Sequence, residues 1–379
     1  MELVHATGMQ AGYTMGMRPD GRELLVVCIK GTFTIPEDGS EPKLAEKQVP
    51  LVEADVFSGE PGLSAPVYES DYPPIKPRCD VLLNGSAHAP GGKPVKEITV
   101  GLKVGPITKS FLVTGNRVWL KTMQSISASS PKPFVKMPIS YGRAFGGGDA
   151  SPEDPEKIEA YLQNPVGTGY HSRLDSKFVD GKPLPNTQEI RNPIDKPDGN
   201  YLPMSFGPVG RGWQPRASLA GTYDQNWIDN TFPFLPPDFD EQYYQAAPFD
   251  QQMPYPQGGE PVLLINLTPE GRAAFRLPKS EMLVWFVRKN GEEIETKAVV
   301  DTVLIEPDER RFMLTWRASL PLRKNMFEVV QVVVGPNPKD RYQRREPGEA
   351  LFPISEEDEE NEDDEEVSRP EDDEMEKGE

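Results

Sequence analysis

The chain has 379 residues and a formal net charge of −19, from 41 Lys and Arg against 60 Asp and Glu side chains. Residues 356–379 contain 16 of the acidic side chains and two basic ones, so the preceding 355 residues carry only −5. No apolar run reaches the roughly 18 residues of a membrane span, and the first twenty residues lack the charged and apolar regions of a signal peptide, so we expect a cytoplasmic protein that does not enter membranes.

A first cluster of strands is predicted in the amino-terminal region, residues 1–124. Apolar and β-branched runs lie at 24–33, 81–86, 96–104 and 108–120, and Gly or Pro residues separate them. The dipeptide Gly105-Pro106 predicts a tight turn between the last two runs. This region is therefore expected to be rich in β-structure.

A second cluster of strands is predicted in the carboxyl-terminal region, residues 261–345. Its runs lie at 262–267, 281–288, 298–306, 311–319 and 327–334. Asn290-Gly291 predicts a tight hairpin after the second run, and the polar residues 306–310 predict another between the third and fourth. Trp285 and Trp316 lie within these runs, and we expect both to make large core contacts.

Helix is scarce, and the best candidate covers residues 152–163. Ser151 is expected to cap this helix, with Pro152 at its first position. Three apolar side chains would share one face of it: Ile158, Tyr161 and Leu162. A single further turn is expected after Leu267, capped by Thr268.

The central region, residues 125–260, is rich in Pro, Gly, Asn and Asp and has few uninterrupted apolar runs. It also contains many aromatic residues, in which disordered linkers are depleted. We therefore predict long ordered loops packed on the sheets, with proline restricting their path. Loops of this length in a compact protein are usually functional.

These patterns predict a mainly β fold of sandwich-like antiparallel sheets, with long loops rich in Pro, Gly and aromatic residues and one short helix. Whether the two strand clusters form one sandwich or two domains stays open. Residues 346–379 form an acidic tail with little apolar content, which we predict to be disordered because its charges repel one another. Solvation and contact with a basic partner are both open roles for it.

Two glycine-rich segments raise the question of phosphate binding. Neither 143–149 nor 207–213 matches the Gly-x-x-x-x-Gly-Lys-Ser/Thr pattern that cradles phosphates, so we interpret both as structural turns. Arg211, Trp213 and Arg216 lie in or just after the second segment, where we expect stacked or salt-bridged supports.

Metal and nucleophilic chemistry have little support in the sequence. Two cysteines, Cys28 and Cys79, are too few for a disulfide framework or a structural zinc site. Among the three histidines, His88 and His171 lie in turn-rich segments, where a hydrogen-bonded structural role is the ordinary one. We expect no cofactor and no metal, and the negative charge without a long basic stretch argues against nucleic acid.

Carboxylates on aromatic loops allow a different hypothesis. Glycoside hydrolases place two acids on either side of the bond they cleave, and aromatic rings stack on sugars. The candidate acids for such a site lie in the central region: Asp224, Asp229, Asp238, Asp240 and Glu241. A glycan-binding module or a glycoside hydrolase therefore stays open as an alternative function.

Seven segments, taken together in their chain order, resemble a bacterial family first catalogued as a domain of unknown function and encoded within type VI secretion loci. Two of them are Pro138-Ile-Ser-Tyr-Gly-Arg-Ala-Phe-Gly-Gly-Gly-Asp149 and Asn164-Pro-Val-Gly-Thr-Gly-Tyr170. The others lie at 30–35, 69–88, 184–190, 207–216 and 236–248. The resemblance covers residues 1–335 and leaves out the acidic tail.

The resemblance implies a non-catalytic adaptor or chaperone and not an enzyme. Members are associated with loading a secreted effector protein onto the VgrG spike or a PAAR-containing tip, and no catalytic residues carry over. Aromatic residues and Arg commonly anchor such contacts. We therefore select six candidate partner-binding residues, with a position in the core as the open alternative for each: Tyr72, Phe145, Trp213, Trp227, Phe239 and Tyr243. An aromatic cleft with two acids about 5–9.5 Å apart would favour hydrolysis instead.

Overall fold

The computed structural model describes residues 1–37, 39–150, 158–279 and 281–335. The predicted acidic tail at 346–379 lies outside these residues, and so does the first half of the predicted helix at 152–163. Within the described chain, two β-sheets face each other across one apolar core. The mainly β, sandwich-like fold is thereby confirmed.

The large sheet contains nine strands within the described residues. Seven of them follow one another in this order: Glu2–His5, Val329–Val334, Met282–Arg288, Glu293–Glu306, Arg311–Pro321, Glu23–Thr34 and Gln10–Met17. The other two are Cys79–Leu83, which pairs with Glu293–Glu306, and Gln252–Met253, which pairs with Cys79–Leu83. Glu2–His5 and Cys79–Leu83 run parallel to their neighbours Val329–Val334 and Glu293–Glu306, whereas the other pairings are antiparallel.

The small sheet contains five antiparallel strands, in the order Thr187–Gln188, Ile107–Thr114, Glu97–Val104, Pro261–Ile265 and Arg272–Arg276. Strands from both ends of the chain pair directly in each sheet. Glu23–Thr34 pairs with Arg311–Pro321, and Glu97–Val104 pairs with Pro261–Ile265. The two predicted strand clusters therefore contribute to the same sandwich, and Met1–Gly335 is one compact unit.

Shorter strands, helices and turns lie outside the two sheets. Five two-stranded pairs are Val56–Phe57 with Pro66–Tyr68, Gly85–His88 with Lys136–Ile139, Trp119–Lys121 with Ile126–Ala128, Phe145–Gly146 with Thr168–Gly169, and Gly148–Ala150 with Ile158–Ala160. The described α-helices are Ser176–Val179 and Gln225–Asn230. Single 3₁₀ turns lie at Pro90–Gly92, Tyr141–Arg143, Arg216–Ala220, Glu241–Tyr244, Phe249–Gln251, Pro307–Glu309 and Met326–Glu328.

The helix predicted at 152–163 is wrong over its described part. Ile158–Ala160 is a strand that pairs with Gly148–Ala150, and the Tyr161 amide donates to the Gly147 carbonyl at 2.8 Å. Pairing with the glycine-rich segment overrides the helical pattern, because tertiary context commonly outweighs local propensity. The turn expected after Leu267 is present, since the Gly271 amide donates to the Thr268 carbonyl at 2.9 Å, but the predicted cap is wrong, because the buried Thr268 hydroxyl has no hydrogen-bond partner within the described chain.

The three predicted hairpins are confirmed. Val104 pairs with Ile107 across the Gly105-Pro106 turn, and Val287 pairs with Glu293 across Asn290-Gly291. Glu306 pairs with Arg311 in the third. Trp316 is buried in the core as expected, but Trp285 is only half-buried and not part of the core, since Val284 and Phe286 on either side of it point into the sandwich.

Loops cover the outer face of the large sheet. The strand Glu23–Thr34 is buried on both faces because Leu24, Val26 and Cys28, which point away from the sandwich, pack against Leu51 and Tyr72. On neighbouring strands, a second outer cluster forms where Leu82, Leu304 and Met313 meet Ala246 and Ala247. The segments around 49–76 and 240–247 therefore act as a third layer.

Ion pairs lie beneath this third layer. Lys30 binds Asp71 at 2.5 Å and Lys76 binds Asp80 at 2.8 Å, in each case between a buried amine and a largely buried carboxylate. Arg317 pairs with Asp301 and also donates to the Pro73 carbonyl at 2.9 Å. Each buried charge needs a partner in a region that excludes water. Asp71, Lys76 and the Pro73 carbonyl belong to the covering loops, so these contacts connect the loops to the sheet.

Candidate functional site

An apolar groove lies where the segments 202–219 and 242–252 meet. Its volume is about 590 Å³. Just over half of its lining residues have apolar or aromatic side chains: Tyr141, Leu202, Pro203, Met204, Val209, Pro215, Leu219, Ala247, Pro248 and Phe249. Two other clefts, of about 520 and 730 Å³, border the strand Arg272–Arg276 and carry charged side chains such as Glu37 and Arg276. The apolar wall distinguishes the groove from them.

Arg216 holds the two sides of the groove together. Its guanidinium donates to the Tyr243 carbonyl at 2.9 Å and to the Val209 carbonyl at 2.6 Å, and it pairs with Glu69 at 2.5 Å. The side chain is almost fully buried, so the salt-bridged support expected at this position is confirmed. Asp240 caps the 3₁₀ turn Glu241–Tyr244, which positions the second side.

Polar groups also line the groove. Several are glutamine amides: Gln163, Gln214, Gln242, Gln245 and Gln252. Gln252 Nε2 donates to the Ala247 carbonyl at 2.8 Å, but its buried Oε1 has no hydrogen-bond partner within the described chain. A buried acceptor without a partner has an energetic cost within the fold.

A buried lysine, Lys109, also lines the groove. Lys109 Nζ donates to Gln251 Oε1 at 2.7 Å and lies 3.1 Å from a carboxylate oxygen of Asp250. Burial lowers the pKa of the Lys109 amine, and the exposed carboxylate of Asp250 only partly opposes this effect. The amine is therefore already engaged, and the groove presents mainly apolar surface and amides.

An exposed aromatic loop, residues 221–239, connects the two segments that form the groove. Its apolar side chains with large exposed areas are Tyr223, Ile228, Phe232 and Phe234. Trp227 stacks edge-to-face with Tyr223 and Phe232, with ring centroids 4.8 and 5.6 Å apart, and its Nε1 donates to the Phe234 carbonyl at 2.9 Å. The loop is thus held in shape while its apolar side chains face solvent, a feature typical of interaction surfaces.

The six predicted contact residues lie in different environments. Trp227 is half-buried within the aromatic loop, and Phe239 and Tyr243 are half-buried beside the groove, where their rings are 5.9 Å apart. Tyr72 is half-buried in the layer that covers the large sheet. Phe145 and Trp213 are buried, the former among Tyr161, Tyr170 and Tyr201 and the latter against Tyr141. The structure thus brings three of the six to the groove and the aromatic loop.

Sequence reasoning missed two side chains of the groove. Phe249 is 80% exposed and Leu202 is 55% exposed. Each is a single apolar residue next to proline in an irregular segment, so neither belongs to an apolar period. The only signal was the run of prolines and aromatics around them.

The candidate hydrolase acids have local roles. Asp224 caps the helix Gln225–Asn230, Asp240 caps the next turn, and Asp238 accepts hydrogen bonds from the amide and hydroxyl of Thr222. Asp229 accepts from Gln225 Nε2 at 2.9 Å. Among the described residues that line the groove, Asp250 is the one carboxylate, and it pairs with Lys109.

The glycine-rich segment 143–149 packs against 164–170. Phe145–Gly146 pairs with Thr168–Gly169, and buried Asn164 donates through Nδ2 to the carbonyls of Tyr141 and Phe145 at 2.8 and 3.0 Å. Gly146 has a φ of +150°, and a Cβ there would lie 2.1 Å from the Asn164 carbonyl oxygen. The segment is a close backbone contact, in agreement with its interpretation as a structural turn.

The two turn histidines are hydrogen-bonded to carboxylates. His171 Nδ1 lies 2.8 Å from Asp149 Oδ1, and His88 Nε2 lies 2.7 Å from Asp308 Oδ1.

Both cysteines are buried, and burial raises the pKa of the Cys28 thiol to about 11. Within the described residues no three His, Cys, Asp or Glu side chains group as metal ligands. No helix in the described part of the chain is long and apolar enough to cross a membrane.

Asp308 should make the fold sensitive to acid. Partial burial raises the pKa of Asp308, but hydrogen bonds from His88, Ser86 and Lys136 outweigh it and leave the pKa below its usual value. The unfolded chain therefore binds this proton first, so stability present above about pH 4 is lost as the pH falls further. Urea unfolding between about pH 5 and 3 should show a smaller loss for Asp308→Asn than for the wild type. Equal losses would contradict this assignment.

A family model described as "uncharacterized protein conserved in bacteria" (DUF2169) matches residues 20–317. The chain belongs to this family. The match includes the groove and the aromatic loop, whereas the strand Gln10–Met17 precedes it. No curated protein and no solved structure matches the chain.

Proposed function

We propose that this member of the DUF2169 family is a non-catalytic adaptor or chaperone that binds a type VI secretion effector and helps to load it onto the VgrG or PAAR spike. The observation that carries the proposal is the apolar groove beside the exposed aromatic loop. Together they present apolar surface on a rigid scaffold, which is what a protein partner requires.

The lining of the groove suits a polypeptide segment. Glutamine amides can donate to and accept from a peptide backbone, and two that line the groove, Gln214 and Gln242, are exposed. The charged groups Lys109 and Arg216 are already paired within the chain. The preferred occupant is therefore an apolar, uncharged stretch of the effector.

The same chemistry supports the adaptor over the glycan alternative. Glycoside hydrolysis requires two carboxyl groups facing the sugar. The described lining of the groove supplies one, Asp250, and it is paired with Lys109. The carboxylates of the aromatic loop bind groups of the loop itself, since Asp224 caps its helix, Asp229 accepts from Gln225 and Asp238 accepts from Thr222.

The first experiment is a tagged pull-down from the native cells. Recovery of a toxin-like protein together with a VgrG or PAAR protein, identified by mass spectrometry, would support the proposal. Recovery of neither, from cells shown to express the secretion apparatus, would contradict it. A second pull-down with the chain ended after Phe352 would show whether the acidic tail contributes to the contact.

A charge placed in the groove should then weaken binding without unfolding the protein. Phe249 is 80% exposed, so Phe249→Glu should leave the melting temperature unchanged. We expect the affinity for the purified effector, measured by calorimetry, to fall about tenfold or more, which corresponds to a loss of about 1.4 kcal/mol or more.

The matched control is Phe327→Glu. Phe327 is 69% exposed but lies in the turn Met326–Glu328, and it is not among the residues that line the groove. This variant should bind like the wild type. If Phe249→Glu and Phe327→Glu bind equally well, the groove is not the contact site.

A further inference from the structure

The strand Gln10–Met17 forms an unusual edge of the large sheet. It is eight residues long, and its sequence, Gln-Ala-Gly-Tyr-Thr-Met-Gly-Met, has no charged residue and no proline. Other edges are of a protected kind: Arg272–Arg276 has an arginine at each end, and Glu2–His5 has only four residues. Proteins commonly protect edge strands with charges, proline or short length, because unpaired edges attract further strands.

The register shows which backbone groups of this strand are open. The Arg18 amide donates to the Arg22 carbonyl at 2.9 Å, in line with the pairing of Gln10–Met17 and Glu23–Thr34. Because bonded pairs alternate along an antiparallel ladder, the even-numbered residues bond to Glu23–Thr34. Four residues therefore direct their N–H and C=O groups outward: Ala11, Tyr13, Met15 and Met17.

These outward groups lack backbone partners within the described chain. One contact reaches them, a 3.5 Å approach of the Thr14 hydroxyl to the Met15 carbonyl. Tyr13 and Met15 are each 38% exposed, so apolar side chains lie beside the open backbone. Methionine adapts readily to different apolar partners.

The edge is continuous with the aromatic loop. The strand ends at Met17, and the turn that follows contains Gly21. A Cβ built on Gly21 would lie 2.8 Å from Cε1 of Phe234, so the aromatic loop packs directly against this turn. A partner bound to the aromatic loop would have the open edge within reach.

We propose that the partner adds an extended segment to Gln10–Met17 as a further strand of the large sheet. The segment is uncharged and alternates polar and apolar residues, because the edge itself bears no charge and exposes apolar side chains on one face. Its backbone bonds to the outward groups of Ala11, Tyr13, Met15 and Met17. The identity of this partner as an effector rests on the proposed function, but the strand-binding edge does not.

The test uses the full chain and a synthetic seven-residue peptide that alternates Thr and Val and is blocked at both ends. In residue-resolved amide hydrogen exchange, this peptide should slow exchange at the four outward amides. The same peptide N-methylated at every residue should not, because neither of its edges can donate to the strand. Equal protection by both peptides, or protection by neither, would overturn the proposal.

A proline at the edge supplies the matched variant. Met15→Pro removes an outward N–H and keeps the bonds to Glu23–Thr34, so the protein should remain folded. Met15→Ala removes the same side chain and retains the N–H. The peptide should protect the edge of Met15→Ala and not that of Met15→Pro. If both variants behave alike, the backbone is not the recognised group.

Three outcomes separate this proposal from its alternatives. Slow exchange at 10–17 that depends on protein concentration without peptide, together with a dimer in sedimentation, would assign the edge to a second copy and overturn the proposal. If the effector binds, Phe249→Glu weakens its binding and Met15→Pro does not, then the edge proposal fails while the adaptor proposal stands. Peptide binding at the edge without any effector in the pull-down would support the edge proposal and contradict the adaptor proposal.

Discussion

Replacing Asp301 by alanine is expected to lower the free energy of unfolding by about 3–5 kcal/mol. Asp301 is 1% exposed and is the ion-pair partner of Arg317, which is itself buried. Burial lowers the pKa of Arg317, but Asp301 outweighs this effect and keeps the guanidinium charged. Without the carboxylate, a charged guanidinium would remain in a region that excludes water, with the Pro73 carbonyl and the Cys28 sulfur as its remaining acceptors.

Urea unfolding of a double-mutant cycle would test this expectation. Asp301→Ala combined with Arg317→Met should be less destabilised than Asp301→Ala alone, because the second change removes the unpaired charge. Glu281→Ala is the control, since the pair between Glu281 and Lys297 is exposed and should contribute less than about 1 kcal/mol. If Asp301→Ala costs no more than Glu281→Ala, the buried pair does not hold the covering layer.

Gly146→Ala should destabilise the protein by about 3 kcal/mol or more, from backbone strain together with overpacking. Its φ of +150° is unfavourable for a residue with a Cβ, and that Cβ would lie 2.1 Å from the carbonyl oxygen of Asn164. Asn164 is fully buried and has little room to move. The change should therefore separate 143–149 from 164–170 and loosen the aromatic cluster around Phe145.

Gly62→Ala separates the two causes. Gly62 has a φ of +80°, but a Cβ there would have nothing within 4 Å. This variant should cost only about 1–2 kcal/mol, the penalty of the left-handed backbone alone. Urea unfolding would measure both variants, and equal losses would show that the contact with Asn164 does not matter.

The groove could be predicted from the sequence only in part. The aromatic and proline content of 125–260 indicated ordered, functional loops, and Trp227, Phe239 and Tyr243 lie at or beside the exposed surface they form. Phe145 and Trp213 resemble them in sequence yet are buried. An aromatic residue in an irregular loop carries no periodic signal, so the packing of that loop alone decides whether it faces the core or solvent.

The sequence by itself determined most of the long strands and the three hairpins, because alternation, β-branched residues and turn dipeptides act over a few neighbouring residues. The strands Glu2–His5, Gln10–Met17 and Arg272–Arg276 were not predicted. The sequence also determined the uncharged character of Gln10–Met17. Only the tertiary structure decided that Glu23–Thr34 pairs with Arg311–Pro321, that Asp301 meets Arg317, and that Ile158–Ala160 is a strand. The strand pairing and the buried ion pair depend on contacts between segments that are distant in the chain. The strand at Ile158–Ala160 depends on a tertiary pairing that outweighs local propensity. Short-range sequence patterns contain no information about either.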